Sequence, residues 1–203
     1  MGLNLEVVSF HYWLEERVER PFQKEFLNRL EAHIGQKIDF SRFNQVDVDT
    51  ESPRVGSYKA YRIFRHCLRF ITFGDYEDQL EEDDRLEKEA LLHFRQHLTP
   101  KSSDIPYVAH VLETNDADTL FLPVIFAEPF ELYDGDYEID VGSVPAILVV
   151  LKTFSEAIFF DLYGKFEDEQ PYHKWNPLST AKNVARVIFK FFKDNENCCI
   201  SFS

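Results

Sequence analysis

The segment Val144–Leu151 is the longest uninterrupted apolar stretch of the chain, and it constrains the fold more than any other feature. Ser143 precedes it as a helix N-cap and Pro145 suits the first helical turn, which predicts a buried helix continuing to Phe154. A helix that is apolar nearly all round has to be covered by the rest of the chain. A buried strand over 146–151 fits the same residues, because periodicity does not separate the two. A membrane span would need roughly 20 such residues.

Helical spacing dominates the first half of the chain. Apolar residues from Phe22 to Ile34 recur at helical intervals, and Gly35 is a C-terminal stop signal. Ser57 is the predicted N-cap of a second helix that ends near Gly74. A third helix is predicted over 77–98, and a strand over 3–12 precedes all three.

Strand patterns follow Pro106. A final amphipathic helix is predicted to begin at Ser179 or Thr180, and Asp134–Gly135 suits a hairpin turn. The mixture predicts the α+β class, with a helix-rich N-terminal half, a mixed C-terminal half and a mainly antiparallel sheet. The predicted strands span residues 107–112, 119–126, 130–133, 137–141, 158–163 and 199–202.

The chain is expected to form a single α+β domain over residues 1–203, with a weak subdivision near 99–106. The N-terminus has no secretory signal pattern. The chain has three cysteines, and the neighbouring Cys198 and Cys199 are poorly placed to bridge each other, which predicts reduced thiols in a cytoplasmic protein. No cofactor is expected, because glycine-rich phosphate loops and paired zinc-binding thiols are absent from the sequence.

The negative charge is distributed unevenly. The formal net charge is −14, which argues against nucleic acid and anionic lipid as partners. Residues 1–74 carry +1, residues 75–100 carry −6 and residues 101–203 carry −9. The excess therefore begins after Gly74.

The first acidic concentration lies at the start of the predicted helix 77–98. We interpret it either as a solvated helix face or as a surface for a basic partner. Its candidate partner-binding residues are Asp75, Glu77, Asp78, Glu81, Glu82, Asp83 and Asp84.

The second acidic concentration spans 128–140 and contains no Lys or Arg. Acids alternate here with Ile139 and Val141, which predicts a strand with one core face and one acidic face. The acidic face is either solvated edge protection or a partner contact. Calcium is disfavoured because Ile139 stands where an EF-hand requires glycine. The candidate partner-binding residues are Asp134, Asp136, Glu138 and Asp140. Trp175, in a proline-bracketed loop, is a further candidate, as an interface anchor or a packing lid.

A basic stripe runs along the predicted helix 57–73 and consists of Lys59, Arg62, His66 and Arg69. It suits a phosphate, a nucleotide or an acidic partner. The favoured interpretation is internal pairing with the acidic helix that follows, in an antiparallel helical hairpin.

Catalytic patterns are weak. Glu89, His93 and His97 share one predicted helix face and are the only metal candidates, but a zincin motif requires Glu where Phe94 stands. His110 is expected to be a hydrogen-bonded structural histidine. The balance therefore leans against an enzyme, and no motif identifies a family.

These features favour a soluble acidic protein-binding module, such as an inhibitor or an immunity or antitoxin-like protein that neutralises a basic toxin or nuclease. The first alternative is a metal-dependent enzyme that uses carboxylates with His93 or His97. The second is a small-ligand or phosphate-binding module that uses the helix 57–73.

Overall fold

Six strands form one mixed sheet that carries helices on both faces. The computed structural model describes residues 2–43, 53–77, 80, 84–100, 105–114, 119–133, 138–166 and 175–202. The helices are α1 (Phe10–Arg17), α2 (Gln23–Ile34), α3 (Tyr58–Phe73), α4 (Arg85–His97), α5 (Ala109–Leu112), α6 (Val144–Ala157) and α7 (Pro177–Asp194), with a 3₁₀ turn at Phe40–Phe43. The strands are β1 (Gly2–Val8), β2 (Arg54–Ser57), β3 (Leu120–Leu122), β4 (Phe130–Tyr133), β5 (Glu138–Ser143) and β6 (Cys199–Phe202).

The strand order is β2-β1-β6-β3-β5-β4. Only β3 and β5 pair in parallel, and the other neighbouring strands pair antiparallel. The predicted antiparallel pairing of β4 and β5 is confirmed, with Phe130 opposite Val141 and Tyr133 opposite Glu138. The predicted α+β class with a mainly antiparallel sheet is therefore confirmed. The predicted turn at Asp134–Gly135 lies outside the described residues.

Alternation along β3 divides the core into two layers. Phe121 points into a large cluster beneath α3, α4, α6 and α7. Leu120 and Leu122 point to the opposite face, where α1 and α2 cover a smaller cluster that contains Trp13 and Phe26. Because successive strand residues face opposite sides of a sheet, one apolar strand serves both layers.

The apolar segment at 144–151 is helical. Ser143 Oγ accepts a hydrogen bond from the Ala146 amide at 3.2 Å and donates one to the Val124 carbonyl at 2.7 Å. Pro145 occupies the first turn of α6. The cap and the proline therefore decide between the helix and the buried strand that periodicity left open. None of the described helices has the length and apolar composition that crossing a membrane requires.

The predicted strand 3–12 is correct only for its first half. β1 ends at Val8, and α1 begins at Phe10 because Ser9 caps it with a hydrogen bond from the Tyr12 amide to Oγ. The following helix α2 ends at Gly35 as predicted, with φ +76° at that glycine. A left-handed residue at this position suits glycine.

Four other element predictions differ from the structure. The segment 107–112 is a turn followed by the helix α5 rather than a strand, and the segment 158–163 is a loop. The predicted helix 77–98 begins at Arg85. The final helix begins at Pro177, two residues before the predicted caps, because the Asn176 side chain accepts the Ser179 amide at 3.0 Å.

The predicted weak subdivision near 99–106 includes residues 101–104, which lie outside the described part of the chain. The three cysteines are free thiols.

Candidate functional site

The basic stripe of α3 is bound to groups within the protein. Arg62 Nη2 lies 3.1 Å from Asp84 Oδ1 and 2.8 Å from Glu87 Oε1. Glu87 is 3% exposed, so its carboxylate depends on this cation for compensation. The Arg65 side chain donates to the Leu112 carbonyl.

The other members of the stripe extend this internal network. The Tyr76 hydroxyl lies 2.7 Å from His66 Nδ1, and the Arg69 guanidinium lies 5.7 Å from the centre of the Tyr76 ring. Burial, together with the charges of Arg62 and Arg69, lowers the pKa of His66 to about 4. His66 is therefore neutral at pH 7 and adds no positive charge to a ligand site. Lys59 is exposed.

The two helices pair in parallel, so the expected antiparallel hairpin is wrong. Arg62 contacts Glu87 near the starts of α3 and α4, and Phe70 packs against Phe94 with ring centres 6.3 Å apart near their ends. Asp84, directly before α4, lies against Arg62 near the start of α3. Both helices therefore run in the same direction.

The described members of the first acidic concentration pair with arginines of the same chain, although the side chains of Asp75 and Glu77 stay 56% and 52% exposed. Arg95 Nη2 lies 2.5 Å from Asp75 Oδ2 and 2.7 Å from Glu77 Oε2. The hydrogen bond from Arg95 lowers the pKa of Asp75. The third described acid, Asp84, is paired with Arg62. The remaining candidates lie outside the described residues: Asp78, Glu81, Glu82 and Asp83.

The metal candidates on α4 are not brought to a common centre. Glu89 accepts from Arg85 Nε at 2.9 Å. The rings of His93 and His97 lie 4.3 Å apart, and burial and His97 lower the pKa of His93. No group of three or more His, Cys, Asp or Glu side chains is placed to hold a metal ion within the described ranges.

His110 joins three segments of backbone and has the structural role expected for it, although it lies on α5. Its Nδ1 accepts the Ser143 amide at 3.2 Å, so Nε2 carries the proton and faces the Phe126 carbonyl, also at 3.2 Å. Burial lowers the pKa of His110 to about 4. The neutral ring therefore joins the β5–α6 junction to the loop before β4.

The second acidic concentration forms the acidic edge of the sheet, which we define by Glu128, Glu131, Tyr133 and Glu138. All four side chains are exposed. Glu131 and Tyr133 lie on β4, the last strand in the order, and Glu138 faces Tyr133 across the hairpin. Among the residues that the structure describes, no Lys, Arg or His pairs with these three glutamates.

Asp140 does not belong to this exposed surface, which corrects its predicted place on an acidic solvated face. It is buried, because it lies on the same face of β5 as Gly142, which pairs with Phe121, and helices cover that face of the sheet. The predicted candidates Asp134 and Asp136 lie outside the described residues. Of the four acids predicted here, Glu138 is the one that the structure places in solvent.

A surface groove of about 180 Å³ lies beside the acidic edge. Its walls are Phe22, Glu25, Phe26 and Arg29 on one helical face and Tyr133 at the end of β4. Residues at these helical spacings meet on one side of α2. Farther along the same helix, the His33 ring stacks on Phe130 at 4.4 Å, so α2 runs beside β4. The groove was not predicted from the sequence, although the four-residue spacing of Phe22 and Phe26 places both rings on one face of a helix.

A second exposed surface follows α6 and was also missed. Ile158 and Leu162 are buried, whereas Phe159 is 84% exposed and has a φ of +52°. Arg186 holds this loop by donating to the Asp161 carbonyl at 3.0 Å. The in–out alternation of the loop resembles that of a strand, which is why a strand was predicted.

Trp175, the remaining candidate, is exposed just before the cap of α7. Its role as an interface anchor stays a prediction.

Comparison of the chain with protein-family models, curated proteins and solved structures finds no match.

Proposed function

We propose that this chain is an acidic protein-binding module that neutralises a basic protein through the acidic edge of its sheet. The observation that carries the proposal is the contrast between its two acidic regions. The described acids around α4 are paired with Arg62 and Arg95. The glutamates of the acidic edge are exposed and pair with no described cation.

This contrast matters because only uncompensated charge attracts a partner strongly. Arg62 and Arg95 each pair with two carboxylates and so offset half of that negative charge, whereas the glutamates of the acidic edge have no described cation beside them. Like charges gathered on one edge steer a cationic surface into contact. The exposed ring of Tyr133 adds an aromatic contact of a kind enriched at protein interfaces. An inhibitor or immunity-type protein that covers a cationic active site would use such a surface.

The experiment compares two variants of equal net charge. Glu131→Lys/Glu138→Lys reverses the acidic edge, and Glu113→Lys/Glu156→Lys reverses two exposed acids elsewhere. Wild type and both variants are immobilised, exposed to source-cell extract and eluted with salt. Basic proteins encoded beside this gene are the first candidates to purify and titrate.

We expect a basic protein to bind wild type and the control variant, and to bind the edge variant at least about tenfold more weakly, the equivalent of about 1.4 kcal/mol. The affinity should fall as salt is raised. Equal affinity for wild type and the edge variant, measured with the purified partner, would refute the proposal. Equal weakening of both variants would show that only total charge matters.

A further inference from the structure

β4 is the last strand in the order of the sheet, so its outer side is a possible contact for a partner. β4 pairs with β5 on one side, and no described strand pairs with its other side. In an antiparallel pair, alternate residues direct their N–H and C=O groups away from the partner strand. Such an edge is a template for another extended chain unless it is blocked.

The side chains at this edge specify the charge of an added chain. Glu131 lies in the middle of β4, and Glu138 lies directly across the hairpin from Tyr133. Acidic groups repel a second acidic strand and attract one that carries Lys or Arg. A second copy of this chain, with its net charge of −14, is disfavoured by the same repulsion.

The groove beside β4 specifies an apolar side chain. Phe22 and Tyr133 are 43% and 54% exposed, and Phe26 is buried beneath them. Three of the five lining side chains are therefore aromatic. The other two, Glu25 and Arg29, form an ion pair with each other at 2.6 Å.

We propose that the partner presents an extended basic segment that adds to the outer side of β4 as a further strand. Its Lys or Arg side chains lie beside Glu131, with Glu138 one strand farther into the sheet, and an aliphatic or aromatic side chain enters the groove. This inference rests on the proposed function and names its mode of recognition, in which backbone hydrogen bonds supply affinity and side chains supply selectivity.

The probe is a nine-residue peptide of alternating lysine and valine with a central phenylalanine. Two matched peptides carry N-methyl groups on the lysine amides or on the valine amides, which removes alternate N–H donors and keeps the charge. A glutamate version replaces the lysines. Binding at low salt is measured by fluorescence anisotropy, and amide hydrogen exchange of residues 130–133 is followed at saturation.

Strand addition makes an asymmetric prediction. Only one of the two sets of peptide amides faces β4, so one methylated peptide should lose about tenfold or more in affinity while the other binds nearly as well as the parent. Exchange at β4 should slow. Tyr133→Ala should weaken binding several-fold, and Tyr12→Ala, which removes an exposed tyrosine on α1, should not. The glutamate peptide should not bind.

Other results separate this inference from the proposed function. If the purified basic partner depends on the acidic edge, but both methylated peptides bind like the parent, the partner uses the edge without strand addition. If the parent peptide does not bind at millimolar concentration, strand addition is likewise excluded. A wild-type dimer that Tyr133→Ala dissociates, measured by sedimentation, would assign the edge to a second copy and overturn the inference.

Discussion

At the scale of single residues, His110 shows how the protein uses a polar group without exposing it. The side chain is 0% exposed, yet both ring nitrogens have backbone partners. Its environment accepts the neutral ring and disfavours the imidazolium, which cannot accept the Ser143 amide. The histidine therefore stabilises the junction before α6 only while it is neutral.

Stability should depend on pH through His110. Burial lowers its pKa from 6.5 to about 4 in the folded protein, so the unfolded chain binds the proton more readily. The stabilising contribution is complete above pH 6.5 and is lost as the pH falls towards 4, by about 3 kcal/mol. Urea unfolding across this range should show the decline.

The control for this prediction removes the titrating group. His110→Gln should be less stable than wild type at pH 7 and should show a shallower decline down to pH 4. His11→Gln, which changes an exposed histidine on α1, should keep the wild-type slope. An unchanged slope in His110→Gln would contradict the assignment. The residual slope in that variant should come in part from His66, whose pKa is also lowered to about 4.

At the scale of secondary-structure elements, the parallel packing of α3 and α4 depends on a cation placed over a buried acid. Arg62 is half-exposed, whereas the Glu87 side chain is almost fully enclosed. Removing one partner of such a pair costs more than the pair contributes, because the other charge is left uncompensated. The buried Glu87 carboxylate, rather than the half-exposed Arg62, therefore determines how much stability is lost when this pair is broken.

Arg62→Met should destabilise the protein by about 1–3 kcal/mol, a reduced range because Arg62 is reached by solvent. Arg62→Met/Glu87→Met should recover much of this loss, since no buried charge remains. Lys59→Met, one turn earlier on α3 and exposed, is the matched control and should change little. Urea denaturation of the four proteins gives the comparison. A double variant less stable than Arg62→Met would contradict this explanation.

At the scale of the whole molecule, one sheet supports two apolar layers. Phe121 belongs to the layer beneath α3 and α7, while its neighbours Leu120 and Leu122 belong to the layer beneath α1 and α2. Loss of either layer exposes one face of the same strands. The two layers should therefore unfold together.

Trp13 provides a probe of the smaller layer. The chain has two tryptophans, so Trp175→Phe leaves Trp13 as the sole indole, in the cluster beneath α1 and α2. Its fluorescence transition in urea should coincide with the loss of helical circular dichroism, as expected of a two-state domain. The Trp175→Phe protein should retain the wild-type circular dichroism midpoint. A fluorescence midpoint at lower urea would show that α1 and α2 detach first.

The acidic edge also belongs to this scale, because no single element forms it. The hairpin supplies the glutamates and Tyr133, and α2, about a hundred residues earlier, supplies the other wall of the groove. The alternation of 128–140 was visible in the sequence. The groove depended on packing that brings Phe22 to Tyr133, and the burial of Asp140 depended on helices covering the Phe121 face of the sheet.

Local sequence is sufficient to predict the elements whose ends depend on residues adjacent to them in the chain. Ser57 and Ser143 cap their helices, Gly35 ends α2, and the strands of the hairpin lie where alternation placed them. Capping and alternation act over a few residues, so local sequence suffices. The segments 107–112 and 158–163 were exceptions: the first contains the helix α5, and the strand-like alternation of the second has no paired strand.

Which charged side chains pair with each other depends on the tertiary structure. Asp75 and Arg95 are 20 residues apart in the chain, and Arg62 meets Asp84 across 22 residues. Their pairing depends on the parallel return of α4 along α3, which no local pattern encodes. The net charge of −14 follows from composition alone. The electrostatic potential of a surface also depends on where the charged groups lie in space, so the exposed glutamates near β4 are a consequence of the fold.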